Sequence, residues 1–303
     1  MGEAQGTYYS VQYYDSLQRN FQPQIDSILT AFDKSASLWV ESSLLRHINA
    51  NLTDSLDNIL HFLLTNSLFI EDYTGGAFNC RVGRIVQSWG FSFKDRTEPD
   101  STELAAMLQA SHAPLTLNNH HLSKDPATEL DFNAIAQGYA SDLLAKFLAS
   151  QGIENYLVDI GGEVIAHGHK ANGKPWTVGI ERPAENRYSE PVVETAIPLV
   201  DRSVVTSGSY RKYYEKDGVK YSHTIDPTTG RPVTHSLLSV SVVENECWLA
   251  DAMATAYMVM GLKRAKEFIS QNPKGPGTQA VFFIYDSCGT MKTYATPEFE
   301  KLK

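Results

Sequence analysis

The chain turns on residues 206–255, TSGSYRKYYEKDGVKYSHTIDPTTGRPVTHSLLSVSVVENECWLADAMAT. The stretch opens on three small residues, Thr206-Ser207-Gly208, which predict a turn able to cradle a polyanion. It continues through a strand carrying His223 and turns again at Asp226-Pro227-Thr228-Thr229-Gly230, an order that is a turn signal in itself. It ends in a helix carrying Asp251 and Thr255. Positions four apart share one face of a helix, so this pair presents a carboxylate and a hydroxyl side by side. Both are oxygen ligands and suit a hard cation such as Mg2+, which takes only one or two carboxylates from protein and completes its shell with water and substrate phosphates. Read alone, the two residues are better explained as a helix cap and core filler. His223 is a candidate base, because its ordinary pKa of about 6.5 lies near neutrality. By residue type alone it is as readily a strand residue bonded to Asp226.

Composition sets the bounds. A chain of 303 residues with 42% hydrophobic content buries a substantial core, as one large domain or as two packed lobes, and no linker divides it. A net charge of −9 argues against non-specific binding to nucleic acid or to an anionic membrane. A polyphosphate ligand then needs locally placed positive charge, which a bound metal supplies. Cys80, Cys247 and Cys288 are too few and too scattered for a disulfide framework or a thiolate zinc site, and read as free thiols. No run has the length of a transmembrane helix, and the start, MGEAQGTYYS, lacks the basic-then-apolar pattern of a signal peptide.

The preference at Asp251 and Thr255 reverses when the neighbouring pieces are read together. Thr206-Ser207-Gly208, Tyr221-Ser222-His223-Thr224-Ile225-Asp226-Pro227 with Thr229-Gly230-Arg231-Pro232, and Ala250-Asp251-Ala252 with Ala254-Thr255 match in order and spacing the FAD:protein FMN transferases, the ApbE-type flavin transferase family, which the chain resembles. Upstream, residues 130–140 (LDFNAIAQGYA), Val158-Asp159-Ile160-Gly161-Gly162-Glu163, and Gly75-Gly76-Ala77-Phe78 followed by Trp89-Gly90-Phe91 extend the resemblance over nearly the whole chain.

The resemblance implies an α+β fold: mixed, largely antiparallel sheets with flanking helices in two packed lobes forming one domain over residues 1–303, with FAD in the cleft between them. It implies Mg2+ held by Asp251, Thr255 and the carbonyl of Ala134, His223 as the base, and Asp226 and Arg231 in orienting roles. Trp39 takes the place of an aromatic residue near the flavin. Ala77, Phe78, Gln137, Gly161, Gly162, Glu163, Thr206, Ser207 and Gly208 are the implied FAD contacts. Many relatives carry Lys where Gln137 stands, which places more of the pyrophosphate neutralisation on the metal. The implied reaction moves FMN from FAD to a Thr or Ser hydroxyl in a Ser/Thr-Gly-Ala-Ser/Thr motif of a redox membrane-protein partner. It also implies an exported, periplasmic or lipid-anchored protein. Two readings stand beside it: an FAD pyrophosphatase giving FMN and AMP, and a flavin-binding protein without turnover.

The remaining pattern fills in the elements. Residues 6–14 predict a strand, and Ile25, Ile28, Leu29 and Phe32 fall at helical spacing. Leu56, Ile59, Leu60 and Leu63 mark a second helix with Asp54 near its start, and residues 101–110 a short capped one. His120-His121 reads as a polar hairpin tip. Residues 131–150 go from loop to helix. Residues 156–166 read as strand, glycine turn, strand, and the turn is where backbone N–H groups are expected to meet a nucleotide. Strands follow near 176–180 and 192–199, then a final helix over 262–271 and a closing hairpin over 280–294.

Overall fold

The computed structural model describes residues 1–90, 99–183, 192–208, 213–216, 219–222 and 224–303, with the side chains of 213–216 and 219–222 left aside. In chain order the elements are β1 (Gly2–Ala4), β2 (Thr7–Tyr13), α1 (Gln22–Ala36), α2 (Leu44–Asn49), α3 (Asn58–Tyr73), α4 (Gly83–Ser88), α5 (Ser101–Ser111), β3 (Thr116–Asn118) and β4 (His121–Ser123). There follow α6 (Ala136–Ser150), β5 (Tyr156–Ile160), β6 (Glu163–His167), β7 (Trp176–Arg182), β8 (Val192–Leu199), β9 (Arg202–Gly208), β10 (Tyr213–Lys216), β11 (Val219–Ser222), β12 (Ile225–Asp226) and β13 (Arg231–Pro232). The chain closes with β14 (Leu237–Glu244), α7 (Cys247–Gln271), β15 (Ala280–Ser287), β16 (Thr290–Ala295) and α8 (Pro297–Glu300). The expected α+β class is met. The chain divides into two compact units, the first made of residues 1–29, 137–213 and 235–303, the second of 30–136 and 214–234.

The first unit is built on an eight-stranded sheet of order β1-β2-β5-β6-β9-β14-β15-β16 in which every described pairing is antiparallel. Side chains alternate across a strand, and β15 shows both faces in use. Phe282 stacks on Phe299 of α8 with ring centroids 5.0 Å apart, and the next residue, Phe283, meets Tyr257 of α7 edge-on at 5.9 Å. On the Phe282 face the hairpin β7–β8 contributes Trp176, Ile180, Ile197 and Leu199 to the core. On the other face α7 lies against β14, β9 and β6.

Helix α7 is broken at Gly261, whose φ of 70° and ψ of 165° are not helical. The expected final helix over 262–271 is therefore the second half of α7, and the short α8, which begins at a Pro and carries no hydrophobic period, follows it. Just before the break, the Met258 carbonyl meets His235 Nε2 at 2.6 Å, and Leu237 N–H donates to His235 Nδ1 at 3.3 Å. Only the neutral ring with its proton on Nε2 satisfies both. Burial holds the pKa of His235 below its ordinary value. The unfolded chain therefore takes up a proton that the folded one refuses, and stability falls as pH drops below about 6.5. Thermal unfolding followed from pH 7.5 to 5.5 should show His235→Gln losing less stability than the parent, by roughly 1 kcal/mol, or about 2–4 °C in Tm. Parallel slopes for the two proteins would remove His235 from the acid response.

Helix α1 buries Ile25, Leu29 and Phe32 on successive turns, and in the second unit α3 buries Leu60, Leu63, Leu64 and Ile70 along one side. The cap of α3 is Asp57, which accepts the Leu60 N–H at 2.8 Å, while Asp54, expected near the helix start, pairs with His121 at 3.4 Å. The β3–β4 hairpin carries His120 and His121 at its tip as expected. Helix α5 starts on a capping box of Asp100 and Glu103. It joins α4 and Ile225 in a small core of Ile85, Trp89 and Leu104, where Trp89 Nε1 donates to the Gly230 carbonyl at 2.7 Å.

Candidate functional site

Helices α6 and α7 meet backbone to backbone at Gly138. A Cβ there would lie 2.5 Å from the Cys247 carbonyl oxygen and 2.8 Å from Trp248 Cα, so only glycine permits the approach. First-turn N–H groups of a helix lack partners within it, and here each helix supplies the other's. The Gly138 N–H on α6 donates to Asp251 Oδ2 on α7 at 3.1 Å. The Cys247 and Trp248 N–H groups at the start of α7 donate to the two oxygens of Asp142 on α6, each at 2.9 Å. Both carboxylates are nearly sealed from solvent, Asp142 at 3% and Asp251 at 5% exposure. Burial pushes Asp142 up to about 6 and Asp251 up to about 7, against the opposing pull of the N–H donors.

One turn beyond Asp251, Thr255 Oγ1 lies 3.4 Å from Ser207 Oγ at the end of β9, and Thr206 Oγ1 is 2.7 Å from Ser241 Oγ. On the other side, Gln137 Nε2 lies 3.3 Å from where a Cβ on Gly161 would stand. The first unit thus brings five residues expected from the sequence into one strip: Gly161, Gln137, Asp251, Thr255 and Ser207. Glu163 follows the Gly161-Gly162 turn at the start of β6, where its carbonyl accepts the Ser141 hydroxyl at 2.9 Å.

Two local expectations are corrected. Thr206-Ser207-Gly208 is not a turn but the end of β9, in register with Ser241, Val240 and Ser239 of β14. The β-branched run from Val204 carries the strand through these small residues because the ladder to β14 outweighs their turn preference. The segment therefore presents hydroxyl side chains, not a nest of N–H groups. Gly161 and Gly162 do form the expected turn, with φ of 65° and 112°. Their N–H groups, however, are already taken, Gly161's by the Tyr8 carbonyl at 3.1 Å and Gly162's by Asp159 Oδ1 at 2.9 Å. Tyr8 OH also donates to Asp159, at 3.2 Å. Thr7 fills the space beside Gly161, so the turn leaves open approach only at Gly162, where nothing lies within 4 Å of a Cβ position, and offers no donors.

The other expected residues belong to the second unit. Ala134 lies in the turn leading to α6, shaped by the Asn133 N–H on Asp131 at 2.8 Å and the Ile135 N–H on the Phe132 carbonyl at 3.0 Å. Trp39 is 56% exposed, with its N–H on Ser37 Oγ at 3.0 Å. Ala77 and Phe78 are buried after the Gly75-Gly76 turn, and the Phe78 N–H donates to Thr74 Oγ1 at 3.2 Å. Asp226 and Arg231 face each other across β12 and β13. The Asp226 carboxylate accepts the Thr228 N–H at 2.9 Å and its carbonyl the Gly230 N–H at 2.8 Å, which realises the expected turn. His223 lies outside the described residues.

Asp251 and Thr255 provide oxygen donors only. Asp251 Oδ1 makes no hydrogen bond among the described residues, the one to Gly138 N–H being on Oδ2. Among the described residues no three His, Cys, Asp or Glu side chains converge on a point that could hold a metal. Within the first unit the donors are thus one carboxylate and one hydroxyl, a set that fits a hard, partly hydrated cation rather than zinc.

A sequence profile of the ApbE family matches residues 5–282. The chain belongs to the ApbE family. It is 34% identical over 310 residues to the FAD:protein FMN transferase of Vibrio cholerae, covering 99% of this chain and 90% of the relative. The enzyme of the same name from Escherichia coli K12 is 32% identical over 313 residues, covering 99% and 87%. Among solved structures, flavin transferase ApbE from Vibrio cholerae superposes with a TM-score of 0.86 at 33% identity, over 100% of this chain and 97% of that one. The apo flavinyl transferase ApbE of Pseudomonas stutzeri gives 0.87 at 30%, over 99% and 95%. The family expected from the motifs and the α+β architecture are both met, and the relatives' names are those of an enzyme, a transferase. No helix among the described residues is long and apolar enough to cross a membrane.

The ApbE motifs did not include Asp142, and Asp159, though inside the Val158–Glu163 segment, was given no role. Each had one visible signal, a carboxylate set within an otherwise apolar or small-residue run, at positions 138–145 and 156–160.

Proposed function

We propose that this protein transfers the FMN unit of FAD to a Thr or Ser hydroxyl of a partner protein, with Mg2+, and releases AMP. The observation that carries this reading is the buried Asp251, with the half-buried Thr255 one turn on, set beside Gln137, Gly161 and Ser207 in a chain of the ApbE family. The names of the relatives, FAD:protein FMN transferase, support the same substrate and class of acceptor.

Asp251, Thr255 and the Ala134 carbonyl would hold the metal. When bound there, Mg2+ supplies positive charge against the oxygens of the FAD pyrophosphate. Gln137, Gly161, Gly162, Glu163, Thr206, Ser207, Gly208, Trp39, Ala77 and Phe78 are the proposed FAD contacts. The acceptor oxygen attacks the phosphorus of the FMN phosphate as the bond from that phosphorus to the bridging oxygen breaks. AMP departs with the bridging oxygen, and the acceptor's proton passes to His223. Asp226 and Arg231 orient the reacting groups. A hydroxyl is a poor nucleophile until a base removes its proton, so His223 and the acceptor must be held together.

The test is a protein bearing a Ser/Thr-Gly-Ala-Ser/Thr motif, incubated with the enzyme, FAD and Mg2+. It should gain one covalent FMN that survives denaturation, with one AMP released, and the label should vanish when the acceptor residue is changed to Ala. Steady AMP release with no flavin on any of several such acceptors would replace the transferase with an FAD pyrophosphatase.

A further inference from the structure

We propose that Asp142 is a positioning residue that sets the metal-binding face of α7 by holding the helix at its first turn; this rests on the metal-dependent reading proposed above. Asp142 touches neither Asp251 nor Thr255 directly. It takes the Cys247 and Trp248 N–H groups, one on each carboxylate oxygen, at equal distances of 2.9 Å. A two-point attachment fixes the rotation of α7 about its axis as well as its position along it, which a single hydrogen bond does not. Asp251 follows Cys247 by one helical turn and Thr255 by two, so a rigid helix carries that setting to both donors.

The reverse bond completes the frame. Gly138, one turn before Asp142 on α6, donates its N–H to Asp251 Oδ2. The other oxygen, Oδ1, the proposed donor to the metal, is therefore aimed by contacts at both ends of one turn of α6. Ligating carboxylates are commonly steered by hydrogen-bonding partners outside the metal's own shell, and removing such a partner typically weakens metal binding. Asp142 also lines a cavity of about 240 Å³ with Lys146 and Glu246. Water entering from that cavity can satisfy the two N–H groups in a truncated variant, which preserves folding without preserving the two-point geometry.

The experiment measures Mn2+ binding by calorimetry, Mg2+ half-saturation of FMN transfer, and FAD affinity in the presence of chelator. Asp142→Ala and Asp142→Asn should raise the metal dissociation constant and the Mg2+ half-saturation by about ten- to a hundredfold, the Asn variant less because it keeps one acceptor. FAD affinity without metal should change less than about twofold. Phe299→Leu, placed on the opposite face of the sheet, serves as a control that loosens the core, and should leave the metal response at the parental value. Asp251→Asn provides the reference: if it too binds Mn2+ like the parent, the metal reading itself fails, whatever Asp142 does. If Asp251→Asn loses metal while both Asp142 variants keep parental affinity, the positioning role alone is overturned. Equal metal loss in the Phe299→Leu control, or failure of both Asp142 variants to fold, assigns Asp142 to stability and overturns the proposal as well.

Discussion

Asp251→Asn is expected to lower Mg2+-dependent FMN transfer by about a thousandfold or more in a protein that remains folded. The metal's charge against a reacting phosphate contributes several kcal/mol to the barrier, and about 4 kcal/mol is about a thousandfold in rate. Asn is the informative substitution because its carbonyl oxygen still accepts the Gly138 N–H that Asp251 now receives. It removes the charge and keeps the contact between the helices. Burial already pushes the Asp251 carboxyl up to about 7, so an uncharged side chain there should leave Tm at or above the parent's. AMP release and flavin on the acceptor, measured at saturating Mg2+ alongside thermal unfolding, decide it. A parental rate would end the assignment of Asp251 to the metal.

Gly138→Ala is expected to destabilise the first unit strongly, against the ordinary preference of a helix. In a helix, Gly to Ala ordinarily stabilises by about 0.5–1 kcal/mol. Here the new methyl meets backbone atoms only, the Cys247 carbonyl oxygen and carbon and Trp248 Cα, all within 2.8 Å. No side chain can rotate away, so α6 and α7 must part and the bonds to Asp142 and Asp251 stretch together. Overpacking of this kind costs about 1–3 kcal/mol, occasionally more, which exceeds the helical gain. Tm should fall by roughly 4–10 °C, and metal-dependent transfer should fall with it. Gly179→Ala makes the contrast: its new methyl would meet only Val193 side-chain atoms, at 3.3 Å and beyond, and should be close to neutral. A Gly138→Ala protein as stable as the parent would show that the helices have slack at this crossing.

These two positions mark how far local sequence reaches. The turns at Gly161-Gly162 and Asp226–Gly230 were readable because their geometry is settled within a few residues, by positive φ in one case and an Asp carboxylate on nearby N–H groups in the other. The pairing of Asp251 with Thr255 was readable because helical spacing alone puts them on one face. Thr206-Ser207-Gly208 was misread because its small residues favour a turn locally, whereas its partner strand is some thirty residues further along the chain. Asp57, the cap of α3, went unremarked for a similar reason, since charge near a helix start does not say which carboxylate reaches the N–H. Asp142 had no legible role at all. Its partners lie more than a hundred residues away, and their meeting depends on the missing side chain of Gly138.

The break at Gly261 divides α7 into two mechanical parts. Residues 247–260 are clamped at one end by the Asp142 carboxylate and at the other by the His235 ring on the Met258 carbonyl. Residues 262–271 lie past a joint through which the helical hydrogen-bond ladder does not run. Fraying that begins at the C-terminal end of α7 is expected to stop at the joint, with amides of 262–271 exchanging faster than those of 247–260. A helix jointed in this way can lose its outer half without moving the residues before the break, as a fuse opens ahead of the circuit it guards.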